Sequence, residues 1–329
     1  KFSARARGVL FLAAMAVMMV FTLQEHYNVY VPTNTNIGAK DKEPKNSKDP
    51  GQLLFDTCNG RWPSIPDPLK IEPVKPTMVG SYPGSGSSLA RELIKGITGH
   101  VTTSDSSDRK HDNVGKDGLA ITIKTHYPAQ IKEDFRRYEN VERSVLLIRN
   151  PANAIPSLLS FQYEKKNGKE NHSTRVPLDQ WLEWREENFN KQLKAWVRHT
   201  KFWLEHNRKE NTLVVAYEHL IDPTKTDPDE LARLGNFISQ TANIPLTQKP
   251  EDIPCLWDNV VNSHGEERSF HRSGGPKRYP YTDEQIDEFV SEFNSIVKAH
   301  PEMNDIMDQY ITDVLTLKVE SKETERLRL

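Results

Sequence analysis

Residues 77–98 restrict what this chain can fold into more than any other stretch. A short apolar run at Met78 and Val79 breaks at Pro83, Gly84, Ser85 and Gly86, after which Leu89, Leu93, Ile94 and Ile97 recur at helical spacing. That order predicts a strand, a tight loop and a helix. Amides in such a loop have no intrahelical partner and the helix start carries partial positive charge, so the loop can hold a phosphate. Gly84 and Gly86 permit left-handed backbone angles, while Ser85, Ser87 and Ser88 add hydroxyl donors. An ordinary strand-to-helix turn with a serine cap remains the alternative. A Walker A loop has Lys directly after its last Gly; here Gly86 is followed by Ser87 and Ser88. The absent Lys, with no evident acidic magnesium ligand after a strand, argues against a P-loop kinase.

The rest of the chain alternates element types. Ala120–His126 alternates like a strand and stops at Pro128, while Arg143–Arg149 and Asn211–Tyr217 read as buried strands. Ala154, Leu158, Leu159 and Phe161 predict a helix after Pro151, and Leu178–His206 predicts a long one carrying Trp181, Trp184, Trp196 and Trp203 as core. Ile286, Phe289, Phe293 and Val297 mark a further amphipathic helix. Strands alternating with helices imply an α/β fold, a parallel sheet flanked by helices with ligands at the carboxyl ends of the strands.

The expected layout is 1–24 cytoplasmic tip and signal-anchor helix, 25–76 stem, 77–315 α/β domain and 316–329 charged tail. Residues 8–23 are apolar and uncharged behind Lys1, Arg5 and Arg7. The run is slightly short of a full membrane span, and no small-residue cleavage site follows it. This favours an uncleaved anchor over a cleaved signal peptide, with the α/β domain lumenal. Residues 24–76 are polar and Pro-containing, as in a linker. Net charge is −2, which gives no global basic field for nucleic acid. Cys58 and Cys255 are the two cysteines; they form a disulfide or remain two thiols. Asn171-His172-Ser173 is a glycosylation sequon if the domain is lumenal.

Taken together, several segments resemble sulfotransferases that use 3′-phosphoadenosine 5′-phosphosulfate (PAPS). Tyr82–Ser88 resembles the family's 5′-phosphosulfate loop, and Lys124-Thr125-His126-Tyr127-Pro128 its Lys-Thr-His-Leu-Pro strand end. Arg149-Asn150-Pro151 with Ser157 resembles the 3′-phosphate motif, Tyr217-Glu218 the segment near adenine, and Phe270–Lys277 the late loop over the 3′-phosphate. The resemblance spans about residues 77–300 in the family's order and is nearest in motif form to WSC-domain-type and Golgi members.

The resemblance implies a transfer from PAPS to an acceptor hydroxyl of a glycan, glycoprotein or small molecule, without a metal. His126 is the implied base and Lys124 the implied charge on the sulfuryl group. Pro83, Gly84, Ser85, Gly86, Ser87, Ser88, Arg149, Ser157, Tyr217, Arg272, Ser273 and Gly274 are the implied cofactor contacts. Localisation is expected in the Golgi or another secretory membrane, as a single-pass type II glycoprotein. The loop 164–177, the Trp257 region and 262–270 are the expected acceptor walls. Cytosolic members carry Lys where this chain has Gly84, so either Lys124, Arg91 or backbone dipoles supply that charge, or the enzyme is slow. A non-catalytic nucleotide-binding or scaffold protein on the same fold is the alternative.

Overall fold

The computed structural model describes residues 72–105, 118–129, 142–170, 172–221, 228–246, 248, 252–261 and 273–326. The apolar run at 8–23, most of the stem, Cys58, Asn171, the segment 262–270 and Arg272 lie outside the described residues.

Strand β1 (Thr77–Ser81) leads into helix α1 (Ser87–Thr98), followed by β2 (Thr102–Ser104), β3 (Thr122–Thr125) and β4 (Ser144–Ile148). Helices α2 (Pro151–Lys166) and α3 (Leu178–His206) precede β5 (Thr212–Ala216) and the short α4 (Tyr217–Ile221). Then come α5 (Pro228–Ala242), α6 (Ile253–Val261), α7 (Asp283–Ala299) and α8 (Asn304–Arg326). The strands pair in the order β2-β3-β1-β4-β5, and every pairing is parallel.

Alternation along the strands divides the core into two layers. Met78, Leu146 and Ile148 point to one face and pack with α2, α3, α7 and α8; Val79, Val145, Leu147 and Val215 point to the other, against α1, α5 and α6. β1 and β4 are buried along their whole length, as central parallel strands covered on both faces must be.

The predicted strands are shorter than the sequence suggests: β3 ends at Thr125, before His126, and β5 ends at Ala216, because Tyr217 opens α4. The aromatics of α3 form core, with Trp181, Trp196 and Trp203 each no more than 1% exposed. Helix α8 runs without a break from Asn304 to Arg326, across the boundary expected at 316. Its buried contacts, Met307, Tyr310 and Val314, are few and weakly apolar, so its periodicity is faint in sequence although it closes the face of α7.

Candidate active site

All five strands end on one edge of the sheet, and the register aligns their last residues. Ser104 lies opposite Lys124, Gly80 opposite Thr125, Ser81 opposite Leu147, and Ile148 opposite Ala216. The residues leaving these strands therefore meet: Asp105 from β2, His126 from β3, the loop 82–86 from β1, Arg149 from β4 and Tyr217 from β5.

The loop is fixed by its glycines. Gly84 and Gly86 have φ of 87° and 82°. A Cβ on Gly84 would strike the Ala154 carbonyl and lie 2.9 Å from the Leu158 nitrogen and 3.2 Å from Ser157 Cβ; one on Gly86 would strike the Tyr217 ring. The loop thus lies flat between α2 and Tyr217. Ser85 is 1% exposed and its Oγ has no hydrogen-bond partner among the described residues. Gly86 caps α1 without a side-chain hydrogen bond, so the helix start presents amides free of that kind of cap. Pro83 and Ser87 are buried, and Ser88 is exposed.

Arg149 binds this loop directly, its Nη1 donating to the Gly84 carbonyl at 2.7 Å. Its guanidinium lies 4.3 Å over the Tyr217 ring, and its buried Nε has no partner among the described residues. Behind it, the half-buried Glu218 accepts from the Asn150 amide at 3.0 Å and the Tyr310 hydroxyl at 3.0 Å. Burial pushes the Glu218 carboxyl up, and the Arg149 guanidinium is the leading opposing influence. Asn150 caps α2 by accepting from the Ala152 amide at 3.0 Å.

His126 is set by Ser81, whose Oγ lies 3.4 Å from the ring Nδ1 and whose carbonyl lies closer. Its Nδ1 lies 2.7 Å from the Ser81 carbonyl, which can only accept, so Nδ1 carries the hydrogen and Nε2 presents its lone pair. Burial, then the nearby Lys124 charge, pushes the imidazole down from 6.5 to about 3, so it is neutral across the physiological range. Lys124 is pushed from 10.5 to about 8, by burial first; Asp105 opposes the shift and Arg91 adds to it. At pH 7 the ammonium therefore remains mostly charged.

Of the predicted site residues, the structure brings together the loop 83–88, Lys124, His126, Arg149, Ser157 and Tyr217. It places Ser273 and Gly274 elsewhere in the hydrogen-bond scheme. Ser273 is bridged to Thr174, donating to the Ser173 carbonyl and accepting from the Arg175 amide at 2.8 Å. Among the described residues neither Ser273 nor Gly274 bonds to the loop 82–88. The segment 172–176 they join is itself held by buried Glu164, which accepts from the His172 and Thr174 amides at 3.0 and 2.8 Å. Trp257, expected at an acceptor wall, donates its Nε1 to the Leu220 carbonyl at 2.6 Å and packs on the core. Arg91 donates to Thr102 at 3.2 and 2.9 Å.

Sequence reasoning missed the bracing. Trp196 Nε1 donates to the Arg149 carbonyl at 3.0 Å, Trp203 Nε1 to the Tyr127 carbonyl at 2.8 Å, and the Tyr82 hydroxyl to Gln192 Oε1 at 2.7 Å. One face of α3 therefore holds the exits of three strands, a role that a core reading of its aromatics hides. Asp105 was missed as well: it is an acidic residue directly after a strand, and its Oδ2 accepts from the Thr125 hydroxyl at 2.5 Å.

Residues 106–241 match the family described as sulfotransferase domain. Over this stretch the chain is similar to the sulfotransferase family. The matched segment contains Lys124, His126, Arg149, Ser157 and Tyr217, while the loop 82–88 lies before it. A curated relative, 3-beta-hydroxysteroid sulfotransferase of Cavia porcellus, is 22% identical over 174 residues, covering 50% of this chain and 59% of that protein. The chain thus spans about three-fifths of that relative's length. Among solved structures, mouse sulfotransferase SULT7A1 complexed with PAP superposes with a TM-score of 0.49 at 15% identity, over 79% of this chain and 93% of that one.

Proposed function

We propose that the chain moves a sulfuryl group from PAPS to an acceptor hydroxyl. The observation that carries this is the junction of Arg149 with the loop at Gly84, beside a buried Ser85 hydroxyl and Arg149 Nε that lack partners among the described residues. Buried polar groups without partners are costly and rare in native proteins, so this set fits an anionic ligand. Ser85, Ser87, Ser88 and the loop amides suit the 5′ end of the nucleotide, Arg149 and Ser157 its 3′-phosphate, and Tyr217 its adenine.

PAPS supplies the activated sulfur and a phosphate leaving group. Nε2 of His126 takes the acceptor's proton as the acceptor oxygen bonds to sulfur and the S–O bond to the 5′-phosphate breaks, leaving 3′-phosphoadenosine 5′-phosphate. Lys124 offsets charge that gathers on the sulfuryl and bridging oxygens, in the preorganised manner that makes such groups effective. Gly84 has no side chain to do this, and α2 fills the space where one would start.

The proposal places the domain in the secretory lumen with a glycan-type hydroxyl as acceptor. The apolar 8–23 run and the polar stem support that reading, and so does Cys255, which is disulfide-bonded; such bonds persist in oxidising compartments. No helix among the described residues is long and apolar enough to cross a membrane, and the 8–23 run lies outside them. The curated relative's name favours a second acceptor reading, a small sterol-type alcohol.

Calorimetric titration of the purified protein with 3′-phosphoadenosine 5′-phosphate, beside ATP and an Arg149→Ala variant, tests the reading. Binding that is lost in the variant and absent for ATP is the expected result. Failure of the wild type to bind the nucleotide would overturn it.

A further inference from the structure

The end of β2 holds a group that the transfer chemistry above does not use. Asp105 leaves the edge strand beside β3, and its backbone amide donates to the Lys124 carbonyl at 3.0 Å, extending the β2–β3 pairing by one step. Its Oδ2 accepts from Thr125 Oγ1 at 2.5 Å. Thr125 Oγ1 in turn accepts from the Tyr127 amide at 3.0 Å. A hydroxyl that donates to Asp105 and accepts from Tyr127 has its orientation fixed at both ends.

The residue spanned by this relay is His126, and the Tyr127 carbonyl on its far side is held by Trp203. The turn carrying the imidazole is therefore held from the sheet edge by Asp105 and from α3 by Trp203, while the ring is held by Ser81.

We propose that Asp105 is a positioning residue for the transfer step, anchoring the Thr125 hydroxyl and, through it, the Tyr127 amide and the turn that places His126. The inference rests on the sulfotransferase reading for its kinetic consequence, not for the relay itself. A second effect runs through charge. Among the described residues, the charged groups that act on Lys124 are Asp105 at the end of β2 and Arg91 on α1, and the neutral His126 lies beyond it on the same strand exit. Of these, Asp105 favours the ammonium, offsetting burial and Arg91.

Three substitutions separate these effects. Asp105→Asn keeps an acceptor for Thr125 and removes the charge, Asp105→Ala removes both, and Thr125→Val removes the hydroxyl within a strand that tolerates β-branched residues. Asp105→Ala and Thr125→Val should each lower kcat about tenfold or more with little change in nucleotide affinity. Their double variant should lose no more than the worse single one, since residues acting as one unit are not additive. Asp105→Asn should keep more of kcat at neutral pH, and the alkaline limb of its pH profile should move to lower pH as Lys124 deprotonates earlier.

Amide hydrogen exchange at Tyr127 reads the relay without any turnover, and both Asp105→Ala and Thr125→Val should speed it. Wild-type exchange at Tyr127 in both variants, or fully additive losses of kcat, overturns the proposal. A wild type that neither binds the nucleotide nor transfers sulfuryl, but shows the exchange changes, overturns the kinetic role and the sulfotransferase reading while leaving the relay standing.

Discussion

Gly84 and Gly168 share a backbone conformation and differ in surroundings, so they separate two reasons for a glycine. Both have positive φ, 87° and 61°, yet a Cβ on Gly168 would meet nothing within 4 Å while one on Gly84 would run into α2. Gly168→Ala should cost only the strain of a left-handed alanine, about 1 kcal/mol. Gly84→Ala adds displacement of the Ala154 carbonyl, and should cost about 1–3 kcal/mol with weakened nucleotide binding. Urea unfolding of the two variants and nucleotide titration check this; equal costs would mean the loop moves freely off α2. The same geometry explains why a lysine at this position is not simply missing. The backbone of α2 occupies the direction in which its side chain would leave.

Helix α3 works as a brace at the scale of the element. Trp196 and Trp203 lie two turns apart on one face, and each buried indole donates to a carbonyl just beyond a strand, at Arg149 and Tyr127. A buried carbonyl that loses a strong donor pays a desolvation cost, about 1–3 kcal/mol. Trp203→Phe retains most of the apolar contact and removes the donor at Tyr127. It should lower unfolding free energy by about that amount and reduce turnover more than nucleotide binding, because the affected turn carries His126 and not Arg149. Denaturant melts beside kcat and nucleotide Kd would show it. α2 contributes differently: capped by Asn150 at its start and bearing buried Glu164 near its end, it joins the Arg149 corner to the segment 172–176.

Across the whole molecule, the packing that shapes the site also makes the fold sensitive to acid. His126 and His199 are both pushed from 6.5 to about 3, chiefly by burial; His126 is also lowered by Lys124, and His199 by His126. His199 Nε2 has no partner among the described residues. Between about pH 6.5 and 3 the unfolded chain binds protons at these positions and the folded chain does not. Stability then rises with pH in that window and is lost as pH falls through it. Unfolding free energy measured from pH 7 to 4.5 should decline, and His199→Gln should decline less steeply because one of the two buried imidazoles is gone. An unchanged slope in that variant would place the acid sensitivity outside His199.

The sequence alone determined the alternation of strands and helices, the loop at 82–88 and the order of the motif residues. These are local properties: apolar runs bounded by Gly and Pro, and chemically distinctive side chains at strand ends. It could not determine the limits of β3 and β5, where His126 and Tyr217 leave the sheet to meet neighbours far along the chain. Helix α8 was hidden because its buried residues, Met307, Tyr310 and Val314, are set among polar ones and their burial depends on α7 being there to receive them. Asp105 gave no signal, because nothing in a polar stretch reveals that an edge strand will set a carboxylate against Thr125. Only the parallel register brought Asp105, His126, the loop, Arg149 and Tyr217 to one edge. Side-chain chemistry is written residue by residue, but its convergence is a property of the sheet.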